Sequence, residues 1–473
     1  MSLQPASPAF VERLAAAVPE ARIGPADPRY LEEPRGKWHG AAAAVARPSR
    51  VEDVATILRL CHAERVAVIP WGGGTGLVGG QIHEAGGGIL LSVERLSRIR
   101  EIAPEDSMME VEAGVTLQQV QVAAAKVGRL FPLSIASEGT ARIGGVLATN
   151  AGGTAVLRYG NARDLTLGIE AVLADGTIVR DLKHLRKDNT GYDLRHLLIG
   201  SEGTLGIITA ASLRLLPRPA ERATAFLAVE GPEAALCLLH DLQGRLGDVI
   251  TGFELMHRQG LDFLAEHFPS MPHPLETRPE WMVLVEASAS AGIADALEGA
   301  LAEAFEHGSI SDAVIAQNET QRAALWAVRE TIPEGNRLVG TIMSHDISVP
   351  LSRLAEFVAR GTGVVRAIAP DARINCFGHV GDGNLHYNVF PAAGRDRAEY
   401  RELQQDIQRA VHDLAHELGG SHSAEHGVGR LKAGDLRRYS DPGRLAAQRA
   451  IKAALDPLGI LNPGAMVDGA PLG

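Results

Sequence analysis

His379 and His386 flank an Asp382-Gly383 pair, and Glu425 and His426 follow in a later segment reading Ser-Ala-Glu-His-Gly. Two imidazoles and a carboxylate are the donor set of an open His2Glu metal site, with a coordination position left for substrate and a spare base beside it. Such nitrogen and oxygen donors suit a divalent ion, zinc first, with manganese or iron able to replace it. The plainer alternative is a pair of solvated histidines beside a turn, with Glu425 in an ordinary ion pair and 421–427 a polar loop. Arg329, in Trp326-Ala-Val-Arg-Glu330, can grip a carboxylate through two parallel hydrogen bonds. Its alternative is a helix-surface ion pair with Glu330 or Glu334.

For two histidines to share an ion, their segments must pair. Residues 374–380 and 385–390 read as strands around Asp382-Gly383, and Asp-Gly is a strong two-residue hairpin signal. In that hairpin His379 faces His386 directly, with Cβ atoms about 4.5–5.5 Å apart. Alternation along the strand puts Asn388 on the face of His386. If the 423–427 segment is extended, Glu425 and His426 point to opposite sides. The alternative for His426 is a histidine packed behind the ligands.

A different chemistry sits upstream. Pro70, Trp71, Gly72, Gly73, Gly74, Thr75, Gly76 and Leu77 open a stretch with six glycines in the eleven residues 70–80. Consecutive glycines let backbone N–H groups close on phosphate oxygens. The pattern is neither a dinucleotide-binding Gly-x-Gly-x-x-Gly nor a Walker loop, and a flexible surface loop is its alternative. A second stretch holds Ser137, Glu138, Gly139 and Thr140, then Gly144, Gly145, Thr149, Asn150, Gly152 and Gly153. A third holds Glu202, Gly203, Gly206, Ile207 and Ile208. Three such loops can embrace a long ligand with a pyrophosphate and a flat ring.

The 473 residues exceed one hydrophobic core, so two or three domains are expected. A formal net charge of -11 argues against nucleic-acid binding, since no basic stripe exists to neutralise phosphates. Cys61, Cys237 and Cys376 form no Cys-x-x-Cys pair, which argues against an iron–sulfur cluster and fits a reducing compartment. No signal-peptide pattern and no run of about 18 apolar residues is visible. The expectation is a cytoplasmic protein, with peripheral docking at the inner membrane left open. Residues 51–64 read as a helix capped by Ser49 with Glu52 at capping-box spacing. Leu216-Pro-Arg-Pro219 reads as a domain boundary, after which strands and amphipathic helices alternate.

Taken together, Pro-x-Gly-Gly-Gly-Thr-x-Leu-x-Gly, the Gly-Gly-x-x-Ala-Thr-Asn-Ala-Gly-Gly segment and Ser-Glu-Gly-Thr-Leu-Gly-Ile-Ile resemble the vanillyl-alcohol-oxidase-type flavoproteins. Within these the chain is similar to the D-2-hydroxyacid dehydrogenases, the group of D-lactate dehydrogenase, the glycolate oxidase D subunit and D-2-hydroxyglutarate dehydrogenase. The resemblance spans nearly the whole chain. It implies an α+β fold with a two-part FAD-binding domain at 1–217, an α+β substrate (cap) domain at 218–415, and a helical segment at 416–473 that returns to the FAD domain. FAD lies along the three loops, with Pro132 and Asn462 added to its site. Thr75 stands where some relatives carry a flavin-linking histidine, which implies non-covalent FAD.

The resemblance also carries His379, His386 and Glu425 over as metal ligands and His426 as the base, with Arg329, Asn388 and Ser344 facing substrate. The implied reaction binds a D-2-hydroxy acid to the metal, passes its hydroxyl proton to His426 and its hydride to flavin N5. Electrons then leave to a separate acceptor, a quinone, cytochrome or electron-transferring flavoprotein. Ser344 replaces a lysine frequent in relatives, which favours a D-lactate-like monocarboxylate over D-2-hydroxyglutarate. The rival readings are a flavin oxidase of another alcohol with a structural metal, and a non-catalytic flavin-binding subunit. A homodimer is compatible with the sequence.

Overall fold

Val51–Glu64 is a helix because Val54, Ala55, Ile57, Leu58 and Cys61 fall on one buried stripe. The expected Ser49 cap does not form. Arg50 takes the N-cap position without a side-chain bond, and Glu52 and Asp53 meet the positive helix end instead. Arg65, at φ 56°, closes the helix in the left-handed region.

The protein, a computed structural model, is described over residues 2–36 and 38–467. It divides into two units, one of residues 1–152, 160–218 and 425–473, the other of 153–159 and 219–424. The return to the first unit comes at Glu425 rather than at 416. Ile407, Val411, Leu414 and Ala415 of the helix Gln404–Glu417 are buried in the second unit's core and hold the chain there. Residues 468–473 of the expected C-terminal segment lie outside the described residues.

In the first unit, the Val51–Glu64 helix shares a core with a parallel sheet in the order Ala44–Ala46, Ile89–Ser92, Val68–Trp71. The buried residues of Ile89–Ser92 run without alternation, as in parallel strands covered on both faces. The tail joins this sheet: the Val68 N–H donates to the Ile460 carbonyl at 2.8 Å, and the Asn462 N–H to the Val68 carbonyl at 2.9 Å. A five-stranded antiparallel sheet runs in the order Ile99–Ala103, Met108–Glu112, Ile207–Arg214, Thr166–Val172, Ile178–Asp181.

The second unit is built on one antiparallel sheet of β1 (Glu221–Val229), β2 (Ile250–His257), β3 (Trp281–Ala289), β4 (Asp312–Ile315), β5 (Met343–Ser348), β6 (Arg373–His379) and β7 (Asn384–Phe390), ordered β4-β1-β3-β2-β6-β7-β5. Leu227, Phe253, Leu255, Val283 and Val285 point to one face, into the core shared with the helices Pro232–Leu246 and Ile293–Glu306. Phe226, Met256, Met282 and Phe377 point to the other, against Leu325, Trp326 and Ile332 of the helix Glu319–Val339. Alternation therefore places Glu254, His379 and His386 on the second face.

Asp382-Gly383 does not make a two-residue hairpin. Val380–Asp382 forms a 3-10 turn, with Gly383 at φ 81°. The Asn384 N–H donates to the Asp382 carboxylate at 3.1 Å, so local turn bonds replace ladder bonds near the tip. Pairing begins at Phe377 opposite His386, with Asn375 opposite Asn388. His379 pairs instead with Glu254 on β2.

Candidate active site

In the first unit the three glycine stretches converge on one cavity of ≈ 300 Å³. Residues 70–77 line it, as do Ser137, Gly144, Gly145, Thr149, Gly152, Glu202, Gly203, Gly206, Ile207, Ile208 and Asn462. The cradle depends on missing side chains. A Cβ on Gly73 would run into the Thr140 carbonyl oxygen, so the first loop packs backbone against backbone behind the cavity. That glycine-built wall, a mostly apolar slot with a few polar groups, fits an elongated dinucleotide with a flat ring. Arg142 also lines it, a residue the glycine motifs do not flag, with Nη1 donating to the Gly114 carbonyl.

Several expected cofactor residues stand outside this wall. The Glu138 carboxylate accepts from Gln121 at 3.1 Å and from Ser134 at 3.2 Å. Asn150, at φ 50°, accepts the Arg163 N–H at 3.0 Å. The Thr140 hydroxyl donates to the Ser137 carbonyl at 3.2 Å. Pro132 and Gly139 are absent from the lining, and Gly153 belongs to the second unit.

Glu425 and His426 both line this same cavity, with His426 Nε2 3.6 Å from Glu425 Oε1. The expectation that they point to opposite sides fails because the segment is bent, with Gly427 at φ 83°. Strand alternation applies only to extended chain.

The second unit carries a buried charge network that sequence reasoning missed. Glu254 is fully buried on β2, and its Oε1 lies 2.5 Å from His379 Nδ1. Its Oε2 accepts the Arg329 Nε–H at 2.7 Å. Burial alone would raise the Glu254 carboxyl. The charges of His379 and Arg329 outweigh it and hold the group well below the ordinary carboxylate range. Arg329 also lies over the Phe377 ring, 4.7 Å from its centroid. Its buried partner is thus Glu254, while Glu334 pairs with Arg337. One signal was available in the sequence: Glu254 interrupts the apolar run Phe253-Glu-Leu-Met256, and a carboxylate there needs a buried partner.

The revised register still gathers the two histidines. The His379 and His386 rings lie with centroids 5.7 Å apart, nearly perpendicular at 80°. With Nδ1 engaged by Glu254, the His379 ring is held in a carboxylate–histidine pair. Asp346 on β5 is opposite His386, and Ser344 opposite Asn388. Asn388 is buried and Ser344 exposed, so the predicted substrate residues sit side by side on adjacent strands.

Residues 42–181 match the family described as FAD binding domain, and residues 218–466 that described as FAD linked oxidases, C-terminal domain. The chain is 37% identical over 449 residues to the mitochondrial D-2-hydroxyglutarate dehydrogenase of Bos taurus, covering 93% of this chain and 80% of the relative. It is 35% identical to the D-2-hydroxyglutarate dehydrogenase of Xanthomonas citri, covering 96% and 95%. Among solved structures, p-cresol methylhydroxylase with substrate bound superposes with a TM-score of 0.75 at 16% identity, covering 97% of this chain and 96% of that one. Alkyldihydroxyacetonephosphate synthase gives 0.71 at 17% identity, covering 98% and 86%. These two likenesses concern the fold. No helix among the described residues is long and apolar enough to cross a membrane. The glycine-built cavity, the two matched families and the relatives together make this chain a member of the FAD linked oxidases, a vanillyl-alcohol-oxidase-type flavoprotein and an FAD-dependent D-2-hydroxyacid dehydrogenase.

Proposed function

We propose that this chain oxidises a D-2-hydroxy acid by metal-assisted proton removal, with His426 as the base. The presence of His426 in the wall of the flavin cavity carries this reading. Bound, non-covalent FAD would accept the hydride leaving Cα, and a divalent ion, zinc first, would acidify the 2-hydroxyl. His379, His386 and Glu425 would hold that ion. Support comes from the Glu254 bond to His379 Nδ1, which fixes the ring. Covalent continuity supports Glu425: the preceding Ala424 N–H donates to the Asp346 carbonyl at 3.2 Å, on the strand paired with β7.

Arg329 would take the substrate carboxylate. Its Nε is spent on Glu254, which leaves the two Nη groups for a bidentate grip. Because Glu254 holds both Arg329 and His379, it would set the carboxylate and the ion at a fixed spacing. Asn388 would accept or donate to the substrate beside His386. His426 would then receive the hydroxyl proton, leaving the alkoxide to expel hydride.

The relatives are named for D-2-hydroxyglutarate, and that diacid is one reading of the substrate. The row Ser344–Asn388–Asn375 across β5, β7 and β6 carries no cation for a second carboxylate. That row favours a D-lactate-like monocarboxylate. The reduced enzyme would pass electrons to a separate quinone, cytochrome or electron-transferring flavoprotein.

Anaerobic mixing with D- and L-2-hydroxy acids tests the reading. The flavin band should bleach with D acids, and bleaching should stop when a chelator removes the ion. Full-rate bleaching by the metal-free protein would defeat the metal-assisted route.

A further inference from the structure

The geometry points to Glu202 as the positioning residue for His426. It clamps the turn that follows the histidine and so sets where the imidazole stands in the flavin cavity. The inference rests on the reading of His426 as the base.

Both Glu202 oxygens are spent on that turn. Oε1 accepts the Val428 N–H at 2.7 Å and Oε2 accepts the Gly429 N–H at 2.7 Å. Two successive N–H groups converge on one carboxylate because the chain alternates its hand, with Gly427 at φ 83° and Gly429 at φ 50°. Both positions also demand glycine on packing grounds. A Cβ on Gly427 would stand 2.7 Å from Glu202 Oε1, and one on Gly429 would run into the Val78 carbonyl oxygen. The turn is therefore shaped around the carboxylate.

Glu202 is itself rigidly held. Its N–H donates to the Ala148 carbonyl at 2.8 Å, and its carbonyl accepts from Asn462 Nδ2 at 2.9 Å. Ala148, Asn462 and His426 all line the cavity, so one residue, through its backbone and its carboxylate, ties the turn after the base to two other walls of the cavity. The next residue is fixed to the same loop region: Arg430 Nη1 donates to the carbonyls of Gly79 at 3.0 Å and Gly80 at 2.9 Å. Sequence reading assigned Glu202 to the cofactor. Its carboxylate, with both oxygens turned to Val428 and Gly429, holds protein at the cavity wall.

The test uses the FAD-loaded protein, a D-2-hydroxy acid that bleaches it, and rates per bound flavin. Glu202→Gln keeps an acceptor for one N–H but turns an NH2 group toward the other. It should slow flavin reduction about tenfold, with FAD content and the substrate's KM little changed. Glu202→Ala should slow it about a hundredfold, the cost of roughly 1 Å of misplacement. Val428→Pro removes one donor while leaving Glu202 and His426 intact, and should match Glu202→Gln. It keeps the inference testable if Glu202→Ala fails to fold. A lower melting temperature with an unchanged reduction rate in Glu202→Gln and Val428→Pro would overturn the inference. His426→Ala separates the two claims. If it reduces at the normal rate, the base assignment fails and takes the positioning inference with it. If it is slow while the Glu202 and Val428 variants are normal, positioning alone fails.

Discussion

Glu202 and Glu254 are buried carboxylates in different units, and their acidities move in opposite directions. Burial raises the Glu202 carboxyl, and two backbone N–H groups with the Lys432 and Arg430 charges recover only part of that shift. Burial would raise Glu254 as well, but His379 and Arg329 pull it from 4.5 to about 2. The first is solvated by peptide dipoles, the second by full charges in contact. The contrast shows two ways of building a site. The flavin cavity is made of backbone brought close by glycine. The β2–β6 corner is made of side chains, one buried carboxylate shared between a histidine ring and a guanidinium.

The largest expected effect breaks the backbone-built region. Gly73→Ala forces a Cβ against the Thr140 carbonyl and should cut FAD content at least about tenfold, read from flavin absorbance per protein. The second unit's stability should be unaffected. Glu254→Ala should do the reverse: FAD stays bound, the metal content measured by elemental analysis falls, and unfolding in urea shows about 3–5 kcal/mol lost to the stranded Arg329. FAD loss in Glu254→Ala would end the view that the two regions are built independently.

Acidity sharpens the same comparison. The folded value of Glu254 lies below its unfolded one, so its stabilising contribution is present above pH 4.5 and lost as pH falls toward about 2. Glu202 is displaced upward, so its contribution declines as pH rises through its window. The stability gap between wild type and Glu254→Gln, followed by urea unfolding, should therefore narrow on acidification. Arg329→Lys keeps the charge but loses the fork, and should raise KM about tenfold with a smaller change in kcat, read by steady-state kinetics. The smallest effect is expected from Ser344→Lys. A cation opposite Asn388 should shift kcat/KM toward a dicarboxylate by about tenfold at most.

These two regions also differ in how far the sequence discloses them. The glycine stretches are contiguous motifs, and most of their residues fall on the cavity wall. Helices such as Pro232–Leu246 and strands such as Glu221–Val229 bear out the alternation of strands and amphipathic helices expected after residue 219. The turn after His379 was misjudged because Asp382 bonds the Asn384 N–H, which no dipeptide propensity contains. Glu254 escapes a sequence reading because its partners are distant in the chain: the β2–β6 pairing brings His379 to it, and the helix Glu319–Val339 brings Arg329. The bend after His426 escaped strand alternation because Gly427 reverses the local hand. Local chemistry is written in spacing, whereas long-range charge pairing is written in topology.

The C-terminal segment that bonds Val68 has a consequence for synthesis. Residues 219–424 emerge from the ribosome as nearly the whole of the second unit, able to condense while translation continues. The flavin cavity cannot close then, because Asn462 is part of its wall and Ile460 completes the sheet beneath it. The wall is thereby completed only once residues 460–462 have been made, and a product truncated before them would lack Asn462 in the cavity and both backbone bonds to Val68.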